Sequence, residues 1–141
     1  MRVGIEARRA RRRELLNLAR RFVERARREL GPLTAWVYGS VARGDFNLWS
    51  DVDVILVAGE LPRWPQDRFG MLLEFAPAKE EPKGYTVAEF RRLLAKLDPQ
   101  LLGALGQREL LVDELELERE LTQALSRRRS GRPVAGEGPA R

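Results

Sequence analysis

The sequence predicts an α/β domain in which a small mixed sheet is covered by helices mainly on one face. Its 141 residues, 43% of them hydrophobic, are enough for one domain with a core of its own. Apolar residues recur at helical spacing in some segments and alternate at strand spacing in others. These segments follow in the order helix, strand, strand, helix, strand and then further helices, an order typical of a sheet with helices packed against it.

The first element is predicted to be an amphipathic helix over residues 14–30. Its apolar side chains recur every three or four residues: Leu15, Ala19, Phe22, Ala26 and Leu30. Gly31-Pro32 ends the helix. The arginine-rich run Arg8–Arg13 is expected to extend the helix into solvent and to fray there.

Two strands are predicted to follow. Leu33–Tyr38 is rich in β-branched and aromatic residues, which favour a strand. Ser40 is expected to cap a short helix that runs through Arg43. A loop over Gly44–Ser50 then leads to a second strand over Asp51–Val57.

A second helix and a third strand are expected next. The apolar face of this helix is predicted to be Phe69, Leu72, Leu73 and Ala76. Pro77 closes the helix, and Lys79–Tyr85 forms the strand. Pro82 confines that strand to a sheet edge or a bulge, because proline has no N–H group to donate.

Capping signals define the remaining elements. Thr86-Val87-Ala88-Glu89 is a capping box that opens a helix. Asp98-Pro99 suits the N-cap and first position of another helix. A short strand over Glu109–Val112 and a last helix over Asp113–Arg128 complete the domain.

The composition excludes several kinds of protein. Cysteine and histidine are absent, which rules out disulfides, thiol catalysis, Ser-His nucleophiles and zinc sites built on these residues. Catalysis must therefore depend on carboxylates, hydroxyls, Lys, Arg and a hard metal ion such as magnesium or manganese. No apolar run approaches the ~20 residues of a membrane span, and no secretory signal is evident, so a soluble cytoplasmic protein is expected.

Charge is unevenly distributed along the chain. Residues 1–30 hold eleven Arg and four Glu, residues 127–141 hold five Arg and one Glu, and the centre is acidic. The basic ends could bind nucleic acid, but a solvated helix face and a loose tail account for the same pattern. We expect residues 1–129 to form one domain and residues 130–141 to be a disordered basic tail.

Asp51 and Asp53 are the first candidates for chemistry. Side chains alternate along a strand, so the two carboxylates share one face while Val52, Val54 and Leu56 share the other. Two carboxylates this close repel each other, and no basic residue within the strand neutralises them. Magnesium would resolve the repulsion, since it binds a few carboxylates together with waters and substrate phosphates. By itself, Asp-x-Asp is also common in turns and at solvated strand edges.

Gly39-Ser40 is the second candidate. Glycine permits close backbone approach, and a helix starting at Ser40 would present free N–H groups and its positive dipole end to an anion. Arg43 could reach the same anion. An ordinary turn followed by a surface arginine explains these residues equally well when they are taken alone. Ten residues before a metal-binding strand, however, such a turn predicts a site for a magnesium nucleotide.

The segment Val37–Val57 resembles the signature of the minimal nucleotidyltransferases, which belong to the DNA polymerase β-like nucleotidyltransferase superfamily. The matching features are a hydrophobic strand, Gly39-Ser40, Ala42-Arg43-Gly44, Ser50 and then Asp51 and Asp53. The order of elements extends the resemblance over residues 14–113. It implies a polymerase-β-palm-like fold with Gly39, Ser40, Arg43 and Ser50 at the nucleotide, and with Asp51 and Asp53 at the metal.

This family uses a third carboxylate on the next strand. Members often show an acidic residue, a few strand residues and then Thr or Ser opening a helix. Glu81, followed by Thr86, fits this arrangement, and Glu80 and Glu74 are its competitors. The chain departs from the pattern because the position is commonly Asp and because a proline follows Glu81.

The resemblance also implies an activity. A hydroxyl attacks the α-phosphorus of an NTP, expected to be ATP, and pyrophosphate leaves, while two Mg²⁺ ions held by Asp51, Asp53 and Glu81 clamp the reacting oxygens. The chain has little room for an acceptor domain, so the acceptor is expected to be a partner protein. Many minimal nucleotidyltransferases are antitoxins paired with a small helical HEPN-domain toxin, and they can add AMP to a toxin tyrosine.

Other classes of function remain open. One is a catalytically weak, binding-only antitoxin, although the intact Gly, Ser and Asp residues of the motif favour activity. Another is a nucleic-acid-binding module that uses the arginine-rich ends, in which case binding would depend on salt and be lost when the ends are trimmed. A third is transfer to a small-molecule hydroxyl, which the missing second domain disfavours.

Overall fold

A computed structural model of the chain describes residues 2–46, 51–76 and 80–131. Within these ranges, six helices surround a four-stranded sheet. The helices are α1 (Arg2–Leu30), α2 (Gly39–Arg43), α3 (Pro65–Leu73), α4 (Val87–Ala95), α5 (Pro99–Ala104) and α6 (Glu118–Ser130). The strands are β1 (Leu33–Tyr38), β2 (Val52–Ala58), β3 (Glu80–Thr86) and β4 (Glu109–Asp113).

The sheet is mixed, with strand order β3-β2-β1-β4. Strand β1 runs antiparallel to both β2 and β4, whereas β2 and β3 are parallel. Helix α3 lies in the crossover connection that parallel neighbours require. Strand β3 is at an edge, as Pro82 predicted, because only an edge strand tolerates a residue without an N–H group.

Helices cover both faces of the sheet. Side chains of α1 pack against Val37, Val54 and Leu56 on one face. Side chains of α4, α5 and α6 pack on the other face, where Trp36 stacks on Phe90 with a ring-centroid distance of 5.4 Å. The predicted α/β domain with a mixed sheet is confirmed. It differs from the expectation of helices mainly on one face, because the alternate positions of β1 and β2 are also apolar and need their own cover.

Helix α1 is longer and better anchored than expected. It is continuous from Arg2, and Arg8 donates hydrogen bonds to the carbonyl oxygens of Gly44 and Phe46. Arg12 donates to the carbonyl oxygen of Val41 and pairs with Glu109. The predicted extension of the helix through the arginine-rich run is therefore confirmed, and the partners of Arg8 and Arg12 within the fold argue against fraying there.

Two helical predictions need correction. In α3, Leu72 is buried but Phe69 and Leu73 are exposed, so only part of the predicted apolar face enters the core. Helix α6 begins five residues later than predicted, because Asp113 belongs to β4. The Asp113 carboxylate accepts the backbone N–H groups of Leu117 and Glu118 and thereby stabilises the start of α6.

The capping signals are confirmed. Thr86 and Glu89 form the reciprocal capping box of α4, and the Asp98 side chain accepts the N–H of Leu101 at the start of α5. The predicted tail lies, from residue 132 onward, outside the described residues. In the described part of the chain, no helix is long and apolar enough to cross a membrane.

Candidate functional site

The sheet register brings three distant sequence segments to one end of the sheet. Because β1 and β2 are antiparallel, Tyr38 at the end of β1 lies opposite Asp53 near the start of β2. Because β2 and β3 are parallel, Glu81 at the start of β3 is the register partner of Asp53 on its other side. The turn at Gly39 follows directly after Tyr38, so the turn and two of the predicted acidic residues are neighbours in space.

Gly39 is held in a backbone conformation that favours glycine. Its φ is +72°, in the left-handed region. A Cβ atom placed on Gly39 would lie 3.2 Å from Cγ of Asp53 and would collide with its Oδ2 oxygen. The turn therefore needs glycine both for its backbone angle and for the close approach of Asp53.

The short helix α2 begins one residue earlier than predicted. Tyr38 is its N-cap residue and makes no side-chain capping bond, so Ser40 is not the cap but the second residue of the helix. The Ser40 carbonyl oxygen accepts the N–H groups of Gly44 and Asp45 at 2.9 and 3.1 Å, which closes the helix. The first amides of α2 lie at the same end of the sheet as Asp53, where they can donate to an anion.

Asp53 and Glu81 form a coupled acidic pair. Each carboxyl group shifts the pKa of the other, and the charge of Asp51 raises the pKa values of both. Burial first, and then the neighbouring carboxylates, raise the pKa values of both Asp53 and Glu81. Three acidic groups thus lie close enough to repel one another, and a divalent cation would relieve that repulsion.

Two cations lie near the acidic pair. The charges of Arg43 and Lys83 each act to lower the pKa of Asp53, although they do not outweigh burial. Nε of Arg43 also lies 3.1 Å from Oδ2 of Asp45. Sequence reasoning missed Lys83, which lies two positions after Glu81 and therefore on the same face of β3. The alternation of side chains along β3 predicts that Lys83 shares a face with Glu81, so Lys83 could have been identified once Glu81 was assigned to the site.

Tyr38 adds a hydroxyl group to the site. Burial and the charge of Asp53 raise the pKa of Tyr38 to about 12. The phenol therefore stays protonated at neutral pH and can donate a hydrogen bond, but it cannot act as a base there.

The acidic residues fit magnesium chemically but do not form a ready-made cage. Among the described residues, no three acidic side chains are arranged so as to hold a metal ion by themselves. Magnesium, however, is usually bound by one or two carboxylates, with waters and substrate phosphates as its other ligands. The site therefore suits a cation that arrives together with a nucleotide.

The competing acids and Ser50 lie elsewhere or are not described. Glu80 is the register partner of Val52 instead of Asp53, and Glu74 is an exposed residue at the end of α3. Glu81 is therefore the acid that the register places beside Asp53, while its role as a metal ligand stays a prediction. Ser50 lies outside the described residues.

Two cavities lie along the strands that carry Asp53 and Glu81. A cavity of about 220 Å³ lies between the sheet and α5, and another of about 670 Å³ lies between α3 and the edge strand β3. Both are lined by Tyr38, Lys83 and Tyr85, and the larger one also reaches Glu81. A reaction at Glu81 would therefore have two neighbouring spaces for two substrates.

The fold is that of a nucleotidyltransferase domain. Residues 19–121 match the nucleotidyltransferase domain family, and the chain belongs to this family. It is therefore a nucleotidyltransferase by family. No curated protein matches the chain.

Two solved structures share the fold. A Sulfolobus solfataricus protein, provisionally described as a nucleotidyltransferase, is 28% identical with a TM-score of 0.51, covering 57% of this chain and 75% of that one. A chain from a toxin–antitoxin structure with AMP-PNP has a TM-score of 0.51 at 14% identity, covering 79% of this chain and 87% of that one. At 14% identity, the second similarity shows the fold alone.

Proposed function

We propose that the protein is a minimal, magnesium-dependent nucleotidyltransferase that transfers AMP from ATP to a hydroxyl group of a partner protein. The observation that carries this proposal is the meeting of the Gly39-Ser40 turn with Asp53 and Glu81 at one end of the sheet, in a chain of the nucleotidyltransferase domain family. An anion-binding turn and an acidic cluster are needed together when the substrate is a metal-bound triphosphate.

Each residue of the site has a role in this proposal. Asp51, Asp53 and Glu81 hold the metal, which when bound neutralises charge on the triphosphate. The backbone amides at Gly39 and Ser40 donate to the β- and γ-phosphates. The predicted contacts of Arg43 and Ser50 with the nucleotide complete the set.

The reaction is an in-line displacement at phosphorus. The acceptor oxygen forms a bond to the α-phosphorus, the bond from the α-phosphorus to the bridging oxygen breaks, and pyrophosphate leaves. The acceptor proton passes to a carboxylate, for which Glu81 is our choice. Its register position beside Asp53, at the end of the sheet where the turn lies, supports this role.

The proposed acceptor belongs to a HEPN-type toxin, with this chain as its antitoxin. The described residues form one sheet with helices on both faces, and we propose that a partner protein supplies the second wall that would hold an acceptor hydroxyl in line. The structural neighbour from a toxin–antitoxin complex with AMP-PNP supports a nucleotide substrate and a protein partner. An added AMP would place negative charge and bulk on the toxin, which would disfavour an anionic substrate such as RNA.

Intact-mass measurement after co-expression tests this proposal. The chain is co-expressed with a small helical protein encoded next to it, and the mass of that partner is compared among three forms of the chain. We expect a gain of one or more AMP units with the wild type and with Asp67→Asn, an exposed acid in α3 outside the cluster. The gain should be absent with Asp51→Asn/Asp53→Asn. A partner that is never modified, yet is bound and neutralised by all three forms, would instead identify a binding-only antitoxin.

A further inference from the structure

We propose that the smaller cavity, between the sheet and α5, binds the adenine base of the nucleotide. This inference rests on the proposed function, because it assigns a place to part of its substrate. The cavity is lined from the sheet by Tyr38, Ile55, Lys83 and Tyr85, and from the α5 region by Asp98, Gln100, Leu101 and Ala104.

The position of the cavity suits the base. Ile55 lies two residues after Asp53 in β2, and Lys83 lies two residues after Glu81 in β3, so all four lie on one face of the sheet. Two residues of strand span about 7 Å, a length comparable to the ribose link between an α-phosphate and a base. A nucleotide with its α-phosphate at the acidic pair therefore reaches the cavity with its base and the α2 turn with its outer phosphates.

The chemistry of the lining also suits a base. Tyr38 and Tyr85 provide aromatic surface, against which a base can stack. Gln100 carries both a donor and an acceptor in one amide group, which matches the N7 acceptor and N6 amino donor of adenine. Guanine presents two acceptors on the same edge, so it matches the amide less well. The Asp98 carboxylate is fixed beside Gln100 by the N–H of Leu101, at 3.0 Å from its Oδ2.

The sizes of the two cavities distinguish their occupants. Pockets that enclose a whole drug-sized ligand have volumes of roughly 300–1,000 Å³, so a cavity of about 220 Å³ has room for the base but not for the whole nucleotide. The larger cavity is bordered by Pro65, Phe69 and Pro82 and opens over the sheet edge. It is the space left for the acceptor.

Filling the smaller cavity tests the proposal. Ala104→Leu adds volume from α5, and Ala88→Leu makes the same change at an exposed position of α4. Binding of Mg-ATP and of magnesium tripolyphosphate is measured by calorimetry for the wild type and both variants. We expect Ala104→Leu to weaken Mg-ATP binding about tenfold or more, equivalent to roughly 1.4 kcal/mol, and to leave tripolyphosphate binding unchanged. Ala88→Leu should change neither.

A second variant keeps the test informative if Ala104→Leu does not fold. Gln100 is exposed, so Gln100→Ala removes the amide without disturbing the core. We expect it to reduce the preference for ATP over GTP. Unchanged Mg-ATP binding in both cavity variants, or a loss confined to Phe69→Ala in the larger cavity, would overturn the assignment. A wild type that binds tripolyphosphate but not ATP would overturn it too, whereas a wild type that binds neither would refute the proposed function itself.

Discussion

The carboxylate of Asp53 fills the space that a side chain on Gly39 would need. The two residues are fourteen positions apart in the sequence, and a Cβ atom on Gly39 would lie 3.5 Å from Cβ of Asp53 and 3.2 Å from its Cγ. The anion-binding turn and the acidic strand of the site are therefore in direct contact. A substitution in the turn should therefore perturb Asp53, and a substitution of Asp53 should perturb the turn.

Gly39→Ala should destabilise the fold and weaken Mg-ATP binding. Left-handed backbone angles cost a residue with a side chain about 1–2 kcal/mol, and the collision with Asp53 adds to this cost. The thermal midpoint should fall by several degrees or more, since roughly 1 kcal/mol shifts a domain of this size by that amount. Thermal denaturation and Mg-ATP titration measure the two effects.

Gly31→Ala is the matched control for that variant. Gly31 also has a positive φ, +81°, but a Cβ atom there would meet nothing within 4 Å. It should therefore show the backbone cost alone and leave Mg-ATP binding intact. Adding Asp53→Ala to Gly39→Ala should recover part of the lost stability, because Asp53→Ala removes the carboxylate with which the new Cβ atom collides. Equal losses in Gly39→Ala and Gly31→Ala would contradict the contact described above.

Asp53→Asn should weaken Mg-ATP binding at least about tenfold while leaving the fold intact. The substitution removes a charge from a cluster whose members repel one another, so metal-free stability should not fall. Calorimetric titration with Mg-ATP and thermal denaturation in EDTA provide the comparison. Asp67→Asn, at an exposed position in the first turn of α3, is the control and should bind as the wild type does. Equal Mg-ATP affinity in the wild type and in Asp51→Asn/Asp53→Asn would refute the assignment of these two acids to metal binding.

Local patterns predicted most of the elements. Strand β1 lies where its β-branched and aromatic residues place it, and β2 and β3 lie within a residue of their predicted bounds. Each of these signals depends on residues that are adjacent in the chain. The capping box at Thr86 and the edge position implied by Pro82 are of the same kind.

Contacts between distant residues could not be read in the same way. The partnership of Asp53 with Glu81 depends on parallel pairing across a crossover, and Lys83 joins the site only through that pairing. The contact between Gly39 and Asp53 depends on the antiparallel register of β1 and β2. Arg8 looked like a solvated residue because its partners at Gly44 and Phe46 lie on another element.

Arg8→Met should destabilise the segment that follows α2. The Arg8 guanidinium donates to the carbonyl oxygens of Gly44 and Phe46, at 3.1 and 2.7 Å, and lies 4.9 Å from the centre of the Phe46 ring. Losing these interactions should cost about 1–2 kcal/mol, measured by denaturant unfolding. Arg9→Met, at the next exposed position of α1, is the control and should cost less. If Arg8→Met lowers the free energy of unfolding no more than Arg9→Met does, the contacts of Arg8 with Gly44 and Phe46 contribute little to stability.

The metal-free protein should lose stability as pH rises above the usual range of carboxyl pKa values. Burial and neighbouring carboxylates raise the pKa values of Asp53 and Glu81 in the folded chain, which therefore holds more protons than the unfolded chain in this range. Under that condition the free energy of unfolding falls with increasing pH, and the loss is complete once the pH exceeds the raised values. Magnesium should reverse the loss, because it binds the folded state.

Glu81→Gln isolates this contribution to stability. The variant lacks one of the two titrating groups, so its free energy of unfolding in EDTA should fall less than that of the wild type as the pH rises from about 4, the ordinary carboxyl pKa, through the raised values. Glu118 acts in the opposite direction: despite its burial, hydrogen bonds from Arg108 and Trp36 lower its pKa. That contribution is present in both proteins and cancels in the difference between them. Urea unfolding at a series of pH values measures the difference, and a gap between the two proteins that does not widen with pH would show that the Asp53–Glu81 pair carries no raised pKa.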